Sequence, residues 1–161
     1  MLVISDTSAL SALAEAGMMP ILPKLFPTVV ITASIEKECA HAGAPDELRQ
    51  WIAQPPAWLK IVPDPSEFLL ETASLGAGEA SAISLAWEHR QKASLILDER
   101  RGRAVAKALG LSISGTMAIV AEAARQGHVQ FEDALGLLQA AGFRLSAAII
   151  EEARRKSRQP I

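Results

Sequence analysis

Leu2-Val3-Ile4-Ser5-Asp6-Thr7-Ser8 decides the fold: a short apolar run closes on an aspartate, and a helix-like pattern runs on from Ser8 to Ala16. The same order recurs at Leu95-Ile96-Leu97-Asp98, followed by a helical stretch over Arg101 to Leu109. Val29 to Ile31 repeats it without the aspartate, ahead of a helix over Ala33 to Ala42. Weaker strand signals lie at Trp58 to Val62 and Leu111 to Ile113, and further helical patterns at Asp46 to Gln54, Glu79 to Arg90 and Thr116 to Gln126. Strand then helix, repeated, predicts an α/β fold: a three-layer α/β/α arrangement on a central parallel sheet of four to five strands, covered on both faces.

After Gly127 the pattern is helical only. Phe131 to Ala141 and Ser146 to Ser157 predict a C-terminal helical hairpin, with Gly142 ending its first helix. Pro55 to Ser66 holds four of the nine prolines and reads as an extended connection around the weak fourth strand. The length of 161 residues suits one domain over 1–161, in which 143–161 form a C-terminal helix and a tail free to move.

Half the residues are hydrophobic and 21% are charged, which excludes the polar signature of disorder. Four Phe, three Trp and no Tyr leave few platforms for stacking bases. A net charge of −2 gives no global attraction to phosphates, so a polyanion has to be held by local basic patches or bound metal. Cys39 is the only cysteine, which excludes an internal disulfide and a thiolate zinc cluster and fits a reducing, cytoplasmic setting. Asp6 and Glu15 interrupt the first apolar stretch, so neither a signal peptide nor a membrane span is expected.

Four acids break the local rules. Asp6 and Asp98 each close a strand, at the edge where open parallel sheets bind ligands; the plainer alternative is that each caps the next helix. Glu79, in Gly76-Ala77-Gly78-Glu79-Ala80, shares a helical meridian with Ala82, Ile83 and Ala86. A carboxylate aimed at an apolar face needs a metal, a base or a proton, unless it stays at the helix start with its head in solvent. Glu38 flanks the stripe of Ile35, Cys39 and Ala42 and is a better candidate than Glu36, though a surface glutamate fits the same geometry.

Other enzyme classes lack their motifs. No Gly-Lys-Ser/Thr follows Gly76-Ala77-Gly78, no second aspartate stands two residues after Asp6, and no Gly-x-Ser-x-Gly exists. His41, His89 and His128 are too scattered for a metal motif and read as surface residues.

With Asp6-Thr7-Ser8 after the first strand, Glu38 in the following helix, Gly78-Glu79-Ala80 opening a central helix and Leu97-Asp98 closing a later strand, the chain resembles the PIN-domain family. Asp98-Glu99-Arg100-Arg101-Gly102-Arg103, with Gly110-Leu111 and Gly115-Thr116, looks more narrowly like an uncharacterised VapC-like prokaryotic branch. The resemblance implies a metal-dependent endoribonuclease, in many members the toxin of a toxin–antitoxin pair. It implies an acidic catalytic cluster of Asp6, Glu38, Glu79 and Asp98, with Asp6, Glu79 and Asp98 as ligands of Mg²⁺ or Mn²⁺. Hard oxygen ligands suit those ions, which acidify a bound water and stabilise charge on a phosphodiester in transit.

Many PIN proteins carry a further aspartate just after the one matched by Asp98; this chain has Glu99 there, as a substitute or as a solvent-facing residue. Thr7, Ser8 and Thr116 are expected to orient the ligands through their hydroxyls. Arg100, Arg103 and Lys107 recur at near-helical spacing and would hold RNA, or would form a solvated face. Arg154, Arg155, Lys156 and Arg158 make a second basic cluster. RNA, a cognate antitoxin and a homodimeric partner are the expected associations, with no membrane. The competing expectations are a non-catalytic PIN-like binding module and another acidic metal enzyme, such as a DNA nuclease or phosphatase.

Overall fold

In a computed structural model describing residues 1–161, five short strands form one all-parallel sheet. They are β1 (Leu2–Ser5), β2 (Val29–Thr32), β3 (Leu59–Val62), β4 (Ala93–Ile96) and β5 (Ser112–Ser114). Their order across the sheet is β3-β2-β1-β4-β5. The register sets Val3 beside Val29 and Ser5 beside Ile96. Both faces are covered by helices, so β2 is buried at every residue and reads as a continuous apolar run. The three-layer α/β/α arrangement is the one expected.

Nine helices complete the chain: α1 (Thr7–Glu15), α2 (Leu22–Leu25), α3 (Ala33–Ala40), α4 (Asp46–Ala53), α5 (Ala77–Glu88), α6 (Arg100–Ala108), α7 (Thr116–Arg125), α8 (Phe131–Ala140) and α9 (Ala147–Ser157). One core of 40 buried apolar residues runs from Val3 to Ala153. None of the helices is long and apolar enough to cross a membrane.

Boundaries differ from expectation where turn chemistry competes with periodicity. Between Gly17 and Thr28, where no element is expected, a 3₁₀ turn (Met19–Ile21) and α2 form. Pro20 and Pro23 sit in their first turns, where a missing N–H costs nothing, so these prolines start helices. Helix α5 begins at Ala77 and is apolar nearly all round, with eight residues from Gly78 to Ala86 buried; it is a core helix and not an amphipathic one. Strand β4 starts at Ala93 and ends one residue short of Leu97.

The chain stops α8 with Gly142 at φ +90°, where Gly142 N–H donates to Gln139 and Phe143 N–H to Leu138. The last two helices follow as expected, but α9 lies mainly along α7. Arg154 ties it to α8, pairing with Glu132 and lying over the Phe131 ring.

Candidate active site

The strand order reverses between β1 and β4, and a parallel sheet opens a crevice beyond its carboxyl ends at such a point. Asp6 directly follows β1, and Asp98 stands two residues beyond β4, so the two acids flank that crevice. Asp6 N–H donates to the Ile96 carbonyl at 3.0 Å, which carries the pairing of the two strands up to the acid.

Asp6 is 1% exposed. It caps α1, as the plainer expectation has it, since its Oδ1 accepts from Ala9 N–H at 2.8 Å. Its Oδ2 accepts from Asp98 N–H at 3.3 Å, which ties it to the neighbouring strand end as well. Burial pushes its pKa from 3.8 up to about 7. The Ala9 N–H works against that, the charge of Asp98 adds to it, the Asp98 N–H lowers it again, and Glu79 raises it further.

Asp98 does not cap its own following helix. Its Oδ1 accepts from Thr116 N–H at 2.9 Å and its Oδ2 from Thr116 Oγ1 at 2.5 Å, so the start of α7 holds the carboxylate in place. Glu99 occupies the cap position of α6 without capping it, and instead accepts from Ser8 Oγ at 3.2 Å. Glu38, on α3, accepts from Thr7 Oγ1 at 2.5 Å and from Gly78 N–H at 3.0 Å. Thr7, Ser8 and Thr116 therefore each hold one acid, as their hydroxyl chemistry suggests.

Glu79 lies in the first turn of α5. Its Oε2 is buried with no hydrogen-bond partner. Burial raises its pKa, the charges of Glu99 and Glu38 add to that, and Arg101 opposes it. An orphaned buried acceptor costs roughly 1 to 3 kcal/mol, so the position calls for a donor or a cation.

Three glycines make room for these acids. A Cβ at Gly78 would stand 2.5 Å from both Glu38 oxygens, and one at Gly115 would stand 2.8 Å from Asp98 Oδ1. A Cβ at Gly102 would overlap Glu79 Oε2. None of the three was a candidate from sequence. Gly102 carried a signal nonetheless, since glycine inside a helix costs about 1 kcal/mol against alanine and asks for a reason.

The four expected acids and Glu99 thus lie around one sheet edge, carried by the end of β1, by α3 and α5, and by the β4–α6 turn. As they stand, no three of the chain's Asp, Glu, His and Cys side chains are close enough to share one ion. Like charges without a counter-ion repel, and both Asp6 and Glu79 register that repulsion. The donor set fits a hard divalent cation: all donors are oxygens, each hydrogen-bonded carboxylate oxygen accepts only one bond and keeps acceptor capacity, and Glu79 Oε2 has no other partner. Cys39 takes no part, since burial first and then Glu38 push its thiol up to about 12 and keep it protonated.

Arg100, Arg103 and Lys107 share one side of α6 and line a groove of about 1170 Å³ that begins at Thr7, Ser8, Asp98 and Glu99. Arg103 also donates from Nη1 to the Leu97 carbonyl at 2.8 Å, which braces the strand end that presents Asp98. The other basic cluster is largely taken up in ion pairs on α9 and with α8. Arg154 pairs with Glu132 and Glu151, Arg155 with Glu152, and Lys156 reaches Glu152 at 3.5 Å.

Against known proteins, residues 2–159 match the model of a family, DUF3368, described as a PIN domain. No curated protein and no solved structure matches the chain.

Proposed function

The chain belongs to the PIN-domain family, and from that premise we propose that it is a divalent-metal-dependent endoribonuclease hydrolysing RNA phosphodiester bonds. PIN domains are in general nucleases and typically use divalent metals. The observation that carries the proposal here is Glu79 Oε2, buried without a partner and raised in pKa beside other unneutralised acids across the strand-order reversal.

In this reading Asp6, Glu79 and Asp98 hold Mg²⁺ or Mn²⁺. The ion would supply an acidified water and charge stabilisation for the phosphate. Asp98 is fixed in position by Thr116, and Asp6 by the start of α1. Glu38, held by Thr7 and Gly78 with lone pairs to spare, accepts the proton released as water attacks. Glu99 stands in for a further acid, leaning on Ser8. Arg100, Arg103 and Lys107 take RNA phosphates beside the site.

Substituting Asp98→Asn keeps the size of the side chain and removes its charge. Metal-dependent cleavage of single-stranded RNA should fall by at least about a hundredfold, in the range of lost charge stabilisation at a reacting centre. Equal cleavage by both chains would sink the proposal. Parallel assays on single-stranded DNA and a small phosphate ester separate it from a DNA nuclease or phosphatase.

A second reading, a non-catalytic PIN-like binding module, is favoured by one observation: no three acids are within reach of a common ion as they stand. In that case Asp98→Asn leaves RNA binding intact and there is no cleavage to lose. A VapC-like toxin role, a cognate antitoxin and a homodimer extend the nuclease reading and draw on the family alone. A small open reading frame beside the gene, whose product silences cleavage, would support the antitoxin.

A further inference from the structure

The groove that starts at the acid edge continues well beyond what a metal site needs. One wall is α6, with Arg100, Arg103 and Lys107; the other is the turn after α8 and helix α9, with Arg144 and Lys156. Its lining holds five cations against Glu15, Asp98, Glu99 and Glu152. Setting aside Asp98 and Glu99 at the acid end leaves five positive against two negative side chains, in a chain whose net charge is −2. Arg144 is exposed and makes no ion pair. Lys156 is about half exposed and reaches only Glu152, at 3.5 Å. Apolar residues complete the lining, and Phe143 is its single aromatic.

We infer that this groove is the track of a single-stranded RNA, with phosphates carried on both cationic walls and one base stacked on Phe143. The inference rests on the nuclease reading and deepens it. Charge complementarity selects a polyanion over an apolar peptide, and continuity with the acid edge delivers that strand to the reacting end. The Phe143 ring in that lining accepts an unstacked base, which a duplex does not offer. Arg144 and Lys156 pair with none of the acids of the site, so they set grip on the strand and not the chemistry.

The test uses the full chain carrying Asp98→Asn in chelator, so that bound oligonucleotide stays intact, with affinity read by anisotropy across salt concentrations. Reversing Arg144→Glu and Lys156→Glu together should weaken binding of a single-stranded RNA about tenfold or more. It should also cut the slope of log affinity against log salt by about 1.4, from roughly 0.7 for each single-strand phosphate that is no longer neutralised. The control reverses Lys24 and Lys60, which lie outside the groove, and so matches the change in net charge. Phe143→Leu keeps an apolar filler, removes the ring and should weaken binding at least about fivefold.

Groove and control variants that bind alike would overturn the inference and leave the groove to a protein partner. Unweakened binding by Phe143→Leu, or duplex RNA bound as tightly as single strands, overturns it equally. Cleavage by the unmodified chain, assayed alongside with Mn²⁺, reports separately on the nuclease reading.

Discussion

Glu122 on α7 and Asp6 at the end of β1 are both acids in a folded chain, and their surroundings move them in opposite directions. Glu122 accepts from Arg125 Nε at 2.8 Å and Nη2 at 2.7 Å, and from Gln126 at 2.6 Å, which hold its pKa down to about 2. Glu132 and Glu152 are lowered in the same way by Arg154 and Arg155. Asp6 is raised to about 7 and Glu79 is raised too, with burial as the leading cause and other carboxylates adding to it. Around α7 and α9 the fold gives its acids arginines as partners. At the sheet edge it gathers acids and gives none of them an ion-pair partner, a pattern found where charge is kept for a ligand.

The sharpest way to break that contrast is to disturb one acid without touching its charge. Gly102→Ala places a methyl where Glu79 Oε2 lies, so the carboxylate has to move. Misplacement by about 1 Å can cost on the order of a hundredfold in rate, and cleavage should fall by about that much. Gly136, inside α8, has open space around it, so Gly136→Ala should leave cleavage unchanged and stabilise the chain by roughly 0.5 to 1 kcal/mol. Equal activity of the two variants would remove the close packing of Glu79 from any functional account.

The next effect is on stability, and its sign differs between the two regions. Asp6 has a folded pKa raised above its unfolded value, so between 3.8 and about 7 the folded chain binds more protons than the unfolded one. Stability is therefore lost as pH rises through that window, and the full cost, roughly 4 kcal/mol, is present above it. Glu79 acts in the same direction. Glu122 has a depressed pKa; its contribution is present above 4.5 and is lost as pH falls through about 2.

Chelated protein should thus melt highest near about pH 4 to 5 and lower at about pH 8. Saturating Mn²⁺ at about a hundred times its dissociation constant should return about 2.7 kcal/mol at the higher pH, or about 5 to 10 °C. At about pH 5, where Asp6 keeps its proton, the gain should be smaller. Melting curves in chelator that climb steadily from pH 5 to pH 8 would contradict the acid-edge account.

Which of these features the sequence discloses follows from how local their causes are. Strand ends marked by Asp6 and Asp98, and a glutamate facing an apolar helix side at Glu79, are local patterns, and the fold sets each near the same edge. Pairing is not local. That Asp98 would be held by Thr116, 18 residues on, and Glu38 by Thr7, 31 residues back, depends on packing that periodicity does not encode. The same limit hid Gly102, whose partner Glu79 sits on another helix, and the commitment of Arg154 to Glu132 on α8. Strand order carries the rest: the reversal between β1 and β4 makes Asp6 and Asp98 neighbours, and no run of residues announces it.

The smallest effect belongs to the paired region. Arg154 holds Glu132 and Glu151 from a site where both carboxylates are well exposed, and its guanidinium also stacks 5.7 Å from the Phe131 ring. Solvent screens such pairs, so Arg154→Ala should lower the melting temperature by only about a degree or two and leave cleavage unchanged. Raising salt to about 1 M should shrink the difference between the two chains, because the Debye length falls to roughly 3 Å. If Arg154→Ala instead abolished cleavage, the cations of α9 would serve the acid edge directly, and the division between a paired structural region and an unpaired functional one would have to be redrawn around that helix.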